Sequence, residues 1–302
     1  MQYHTLSFNQ LLTEIDIFID RILNDNINTD ETALVLNNLY PEMKYYYDHR
    51  LVYTKTVKWF IDTCGISDNE YCSEIEWNAE SVEQFIYKIK KYLPEYFQSR
   101  KKFALKEKRR TKCLKEYLTQ LTEHYSRLLF VRVDLHYRLD YQDGDGIYSF
   151  AYYMTRFKQH MSNKKGCFEG LEGYAWSLEQ GYQGNCGLHC HLFLAYNGHK
   201  HESDSDLGIA VGEKWMSLIE GQGHYFNCND KNYVNQFERL KIRGVGRIYR
   251  ADKIEVQNAI KTISYLTTKE DKYEQRLKAK LPGMRSFGHS QFDVPWRRSI
   301  KR

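Results

Sequence analysis

His189 and His191 flank Cys190 inside an apolar run that includes Leu188, Leu192, Phe193 and Leu194. Side chains on a β-strand alternate, so both imidazoles project from one face, roughly 7 Å apart along the strand, and can converge on one metal ion. Leu188, Cys190, Leu192 and Leu194 fall on the other face and can feed a core. Taken alone, the pair is equally compatible with buried structural histidines. A second such pair, His199 and His201, lies among Asn197, Gly198, Glu202, Ser203 and Asp204, where no strand is fixed, and reads as surface. Glu179 changes the balance at the first pair. It ends an alternating stretch, 173–180, and the glycine-rich segment 181–187 then reads as a hairpin loop. Closing that hairpin sets Glu179 opposite His189, at the ~5 Å spacing of cross-strand partners. Two imidazoles and one carboxylate on an open sheet face would bind a divalent cation and leave positions for substrate. The alternative for Glu179 is a strand-end charge in solvent.

Tyr265 is the second residue with chemistry in it. The run 253–268 has helical spacing, with Asp252 as its N-cap and Ile254, Ala259, Ile260, Ile263 and Leu266 as the expected buried stripe. Lys261, Tyr265 and Lys269 are spaced four apart and share a neighbouring face. Positive charge beside a phenol favours its ionised form. A tyrosinate can attack phosphorus and hold it as an ester, dividing one difficult step into two reversible ones. A lysine can offset the charge that builds up during attack. An ordinary boundary tyrosine on an amphipathic helix is the competing reading, since the chain has 25 tyrosines.

The elements that must position these groups follow from periodicity. Residues 1–125 read as helical: Phe8, Leu11, Leu12, Ile15, Ile19 and Leu23 recur at helical spacing, and a second run, 82–93, stops near Pro94. A third helix carries the basic stretch 100–112 and continues through Leu114, Leu118 and Leu121. From 126 the texture changes to strand 128–136, a turn at 141–146, helix 148–161, strands 173–180 and 188–196, and helix 205–219 capped by Asp204 or Ser205. Short strands at 224–226 and 246–249 and the helix carrying Tyr265 complete the order. That order predicts an α+β fold, an antiparallel ferredoxin-like or RRM-like sheet with helices on one face and the other face free for a ligand. The expected organisation is a helical region at 1–125 followed by a catalytic domain at 126–302.

His189, Cys190 and His191, with Glu179 upstream and Tyr265 and Lys269 downstream, resemble the HUH endonucleases, which cleave single-stranded DNA. A wider pattern resembles the YagK/YfjJ family of prophage proteins, related to filamentous-phage replication proteins. It comprises Phe130 to Asp134, Gly173 to Trp176 and Arg285 to Gly288. The resemblance covers roughly residues 125–292. It implies a rolling-circle replication initiator in which Glu179, His189 and His191 hold Mg²⁺ or Mn²⁺, Tyr265 attacks and keeps the 5′-phosphate, and Lys269 offsets charge. The partner would be single-stranded or hairpin origin DNA, gripped by Arg132, Lys261 and the basic stretch 100–112. The tyrosine follows the histidines, as in replication initiators and unlike relaxases. Position 269 is lysine where filamentous-phage relatives often carry a second catalytic tyrosine, so a single-tyrosine enzyme is expected.

Composition narrows the classes. Hydrophobic content of 42% and charged content of 27% are those of a folded globular chain. No apolar run reaches the ~18 residues of a membrane span. The start of the chain lacks a signal-peptide pattern, so the expected compartment is cytoplasmic, with no membrane partner. Seven scattered cysteines, an odd number with no Cys-x-x-Cys pair, argue against a disulfide framework and a zinc ribbon. Net charge is only +5, but it is concentrated at 100–112 and 296–302, which suits phosphate. No P-loop motif is present, so a helicase would come from the host or another gene, and a host polymerase is the further partner expected. Two rival readings stand beside the initiator. One is a non-catalytic DNA-binding regulator; the other, ranked lower, is a primase-polymerase, for which Asp134, Leu135 and His136 supply one carboxylate instead of two.

Overall fold

The computed structural model describes residues 6–68, 75–137, 146–181, 187–268 and 273–292. Helix α1 (Phe8–Leu23) starts where Ser7 and Gln10 cap each other's backbone amides, a reciprocal capping box. Asn28 and Asn78 cap α2 (Thr29–Tyr46) and α4 (Ala79–Lys90) by accepting from the Glu31 and Ser81 amides, with α3 (Lys55–Cys64) between the two helices. These helices pack through α1, where Phe18 meets Phe60 of α3 and Phe85 of α4. A short ladder, β1 (Val52–Tyr53) with β7 (Ala279–Lys280), ties them to the C-terminal part of the chain. Helix α5 (Leu93–His124) is 32 residues long, ~48 Å at 1.5 Å per residue. Pro94 sits in its first turn, where a missing N–H costs nothing, so the proline opens α5 and α4 ends at Lys90.

The remainder is the expected α+β layer. Its elements are β2 (Arg127–Tyr137), α6 (Gly146–Asn163), β3 (Leu171–Gln180), β4 (Leu188–Asn197), α7 (Asp204–Leu218) and β5 (Gly223–Asn227). Helix α8 (Lys231–Arg239), β6 (Gly246–Tyr249), α9 (Lys253–Thr268) and β8 (Phe287–His289) follow. The sheet order is β5-β2-β4-β3-β8, antiparallel throughout, with β6 pairing the start of β2 on the same edge as β5. The four strands of the βαββαβ unit thus lie in the order fourth, first, third, second, the ferredoxin-like arrangement. Ser203 caps α7, and Asp252 caps α9 by accepting from the Ile254 and Glu255 amides.

One face of the sheet is apolar along its whole length. Leu129, Val131, Val133 and Leu135 of β2 and Leu188, Cys190, Leu192 and Leu194 of β4 pack on Phe150 and Phe157 of α6 and Trp215 of α7. The same cluster continues into α1–α4. The second face is not open along its length, as the strand order alone led us to expect. The C-terminal half of α5 has its own stripe, Leu114, Tyr117, Leu118 and Leu121, which is buried there together with Ala259, Ile263 and Leu266 of α9. Gly173 makes the close approach possible: a Cβ there would come within 2.4 Å of Tyr117 Oη and 2.8 Å of Leu121. Ile254, expected in the buried stripe of α9, is 67% exposed because it lies in the first turn, before the helix reaches α5. Among the described residues, no helix is long and apolar enough to cross a membrane.

Candidate metal centre and adjoining tyrosine

Strand register decides which side chains meet at the uncovered end of the second face. Glu179 of β3 lies opposite His189 of β4, and Ser177 opposite His191. On the other side of β4, His136 of β2 faces His189 and Asp134 faces His191. All of these project from one face, since directly opposed residues of an antiparallel pair share a side. Two rows result. One runs His224, His136, His189, Glu179 across four strands, and the next runs Phe226, Asp134, His191, Ser177.

Glu179, His189 and His191 are all buried, and one ligand atom from each lies within 4.8 Å of the others. His189 Nε2 is 3.8 Å from Glu179 Oε2, and His191 Nε2 is 3.5 Å from the same oxygen. His189 Nδ1 donates to the Gly187 carbonyl at 3.0 Å, which leaves its Nε2 as the lone-pair nitrogen. His191 Nδ1 lies 2.7 Å from Asp134 Oδ1, which directs its Nε2 toward Glu179 in the same way. That buried Nε2 has no hydrogen-bond partner among the described residues. Two imidazole nitrogens, each oriented from behind, and a carboxylate oxygen converging on one point fit a divalent cation. Without one, burial lowers the His191 pKa, but Asp134 and Glu179 more than reverse this, so it is raised overall. Burial raises Asp134, but His191 and Arg132 hold it well below the usual carboxylate range.

Asp134 therefore stands behind His191, at 2.7 Å from its Nδ1, and is not one of the three side chains that converge. Arg132, two residues earlier on β2, ion-pairs with Asp134 at 3.2 Å and places its guanidinium 5.0 Å from the centre of the Tyr265 ring. Asn229 fixes this part of β2. Between the stretches that pair with β6 and with β5, the Asn229 side chain accepts from the Arg132 amide at 2.8 Å and donates to the Phe130 carbonyl at 2.9 Å. It substitutes for the missing strand neighbour.

Helix α9 carries Tyr265 to the border between the covered and uncovered ends. Its ring is 6.3 Å from that of His191, edge to face, and 36% exposed. Tyr265, Arg132 and Lys261 line one cleft of about 360 Å³, with Tyr233, Phe237 and Cys228. The site residues named from sequence are thus brought together, apart from Lys269, which lies outside the described residues. The turn at 141–145, most of the 181–187 loop and the basic segment 296–302 also lie outside them. Of the stretch 100–112, Arg100, Lys101, Lys108 and Lys112 line a second cleft of about 870 Å³ with Thr267 and Thr268 of α9. Arg110 is instead turned inward to Glu107 and Ser286. Tyr273 sits in this second cleft, against Phe103 and under the guanidinium groups of Arg100 and Arg276. His199 and His201 lie at the far end of β4, where His199 Nε2 meets Ser126 Oγ and His201 Nε2 the Glu169 carbonyl.

Sequence reasoning missed His136 and His224. Their rings stack at 4.4 Å and 3°, and His136 stacks on His189 at 5.3 Å and 20°. Burial beside His189 and His224 lowers the His136 pKa to about 3, which keeps the ring neutral. His136 was legible as the residue two after Asp134, on the same face; nothing in the sequence marks which edge strand reaches it.

The YagK/YfjJ C-terminal domain family matches residues 93–290, and the chain belongs to this family. The match begins where α5 begins, so it includes the helix that covers half of the second face. Within the matched range, Trp176 of β3 pairs with Gly288 of β8, and Asp134 of β2 pairs with His191 of β4. No curated protein and no solved structure matches the chain.

Proposed function

We propose that the protein nicks and rejoins single-stranded DNA through a 5′-phosphotyrosine at Tyr265, as a rolling-circle replication initiator of a phage or other mobile element. The observation that carries this reading is the placement of Tyr265 beside His191, at the rim of the Glu179, His189 and His191 cluster. Mg²⁺ or Mn²⁺ held by those three side chains would polarise a non-bridging oxygen of the scissile phosphate. Tyr265 Oη loses its proton and attacks phosphorus, a Tyr–O–P bond forms, and the P–O3′ bond breaks. The released 3′-oxygen takes up a proton and is a primer end for a host polymerase. Attack of a 3′-hydroxyl on the tyrosyl ester reverses the exchange, so joining needs no nucleotide cofactor. Arg132 and Lys261, at the cleft beside Tyr265, offset phosphate charge there, and Lys269 is the further candidate for that role. The basic side of α5 holds the strand further away.

A pool of labelled single-stranded and hairpin oligonucleotides, incubated with the protein and Mn²⁺ and resolved on a denaturing gel, tests the reaction class. The expected result is a covalent protein–DNA band, lost with a chelator and in His189→Ala. No band with any oligonucleotide, or one indifferent to both, would rule the mechanism out.

A further inference from the structure

Strand β5 and helix α8 carry aromatic rings that the core does not bury. His224 and Phe226 alternate along β5, and their register opposite His136 and Asp134 puts both on the site face. His224 is exposed, and its ring continues the imidazole stack that runs through His136 to His189. Phe226 leaves 44% of its surface in water and meets Tyr233 of α8 edge-on at 5.0 Å. Tyr233 meets Phe237 one turn later at 5.2 Å, and both line the cleft that contains Arg132, Lys261 and Tyr265. The rings therefore form a path from the sheet edge into the cleft at the nucleophile.

A row of solvent-facing rings needs a partner with flat apolar faces. Lys261, at its inner end beside the Asp134-paired Arg132, favours an anionic partner. Unpaired nucleotides meet both needs, whereas a duplex hides its base faces. Resting on the nicking reading above, we propose that His224, Phe226, Tyr233 and Phe237 form a base-stacking track holding the nucleotides that lead to the phosphate at Tyr265. The track gives the site a preference for single strands independent of the metal cluster. A base on His224 extends the imidazole stack that runs through His136 to His189.

The test is binding of a fluorescent single-stranded oligonucleotide, read by anisotropy at several salt concentrations, with the adduct assay run in parallel. Phe226→Ala should weaken binding by about 5- to 150-fold, the range for losing one base–aromatic stack, and leave the salt slope unchanged because no phosphate contact is lost. Phe226→Trp should bind like the parent, and the added tryptophan emission should be quenched by single-stranded but not duplex DNA. Parent-like binding by Phe226→Ala, or unquenched emission from Phe226→Trp, overturns the track. Adduct formation with those results leaves the nicking reading standing alone. Weakened binding in Phe226→Ala, with quenching but no adduct from the parent, supports the track and removes the nicking reading. A parent protein that binds no single strand removes both.

Discussion

The two ends of the sheet's second face are built from the same three strands and differ in every contact. At one end Phe130, Phe193, Ala175 and Ala195 lie under α5 and α9, with Phe130 and Phe193 edge to face at 4.8 Å. At the other, two residues further along each strand, the same face presents Arg132, Asp134, His191, Ser177 and Glu179. The apolar end fixes α9, and α9 fixes how far Tyr265 reaches over the polar end. The polar end contributes little cohesion of its own, since its buried carboxylates and imidazoles are costly to desolvate. The difference is a division of work: one end fixes the helix, the other gathers side chains that could hold a metal ion, and Tyr265 stands at their junction.

That division can be broken at either end. Phe193→Ala removes a fully buried ring from beneath the helices and should cost about 3–5 kcal/mol of stability, read as a lower denaturant midpoint. Metal binding per folded molecule should be nearly unchanged, because His189 and His191 remain on the same strand. Loss of metal affinity in proportion to stability would mean the two ends are not separable.

The side of the polar end is closed by a different device. Gln180, next to Glu179, accepts from the Lys278 amide at 2.9 Å and donates to the Asn9 carbonyl of α1 at 2.9 Å. Lys278 itself is fully buried, and burial lowers its pKa from the ordinary 10.5 to about 8. The unfolded chain therefore binds more protons than the folded one between about pH 8 and 10, so this group makes stability rise with pH across that window. The gain should approach about 3 kcal/mol, and Lys278→Met should abolish it. Parallel pH profiles for parent and variant would contradict a buried, charged Lys278.

The smallest expected effect is also the most local. Asp134→Asn keeps the shape but removes the charge behind His191 and beside Arg132, and should weaken Mn²⁺ binding per folded molecule about 10- to 100-fold by calorimetry. An unchanged affinity would mean that the Asp134–His191 contact does not orient the ligand.

Much of this was legible in the sequence because it is governed by local periodicity. Alternation in 188–196 put His189 and His191 on one side and the leucines in the core, and the short loop after Glu179 fixed the hairpin register. The Asp252 cap and the apolar spacing of 253–268 located α9 and, with it, Tyr265. What was not legible depends on long-range pairing. Nothing local says that β5 lies beside β2, so the His224 and His136 stack could not be foreseen. Helix α8, whose single buried residue is Val234, has too little apolar stripe to be read as a helix. The leucines of α5 were visible as a period, but not the sheet face they cover.

The central claim is that Tyr265, at the junction of the two ends, forms the bond to DNA. Tyr273 is the chemical competitor, and it lies in the α5 cleft between Arg100 and Arg276. Protease digestion of the covalent protein–DNA adduct, followed by mass spectrometry of the nucleotide-bearing peptide, identifies the linked residue directly. The account predicts phosphodiester-linked nucleotide on Tyr265, with no adduct from Tyr265→Phe and undiminished adduct from Tyr273→Phe. Nucleotide on Tyr273, or full adduct formation by Tyr265→Phe, would contradict it.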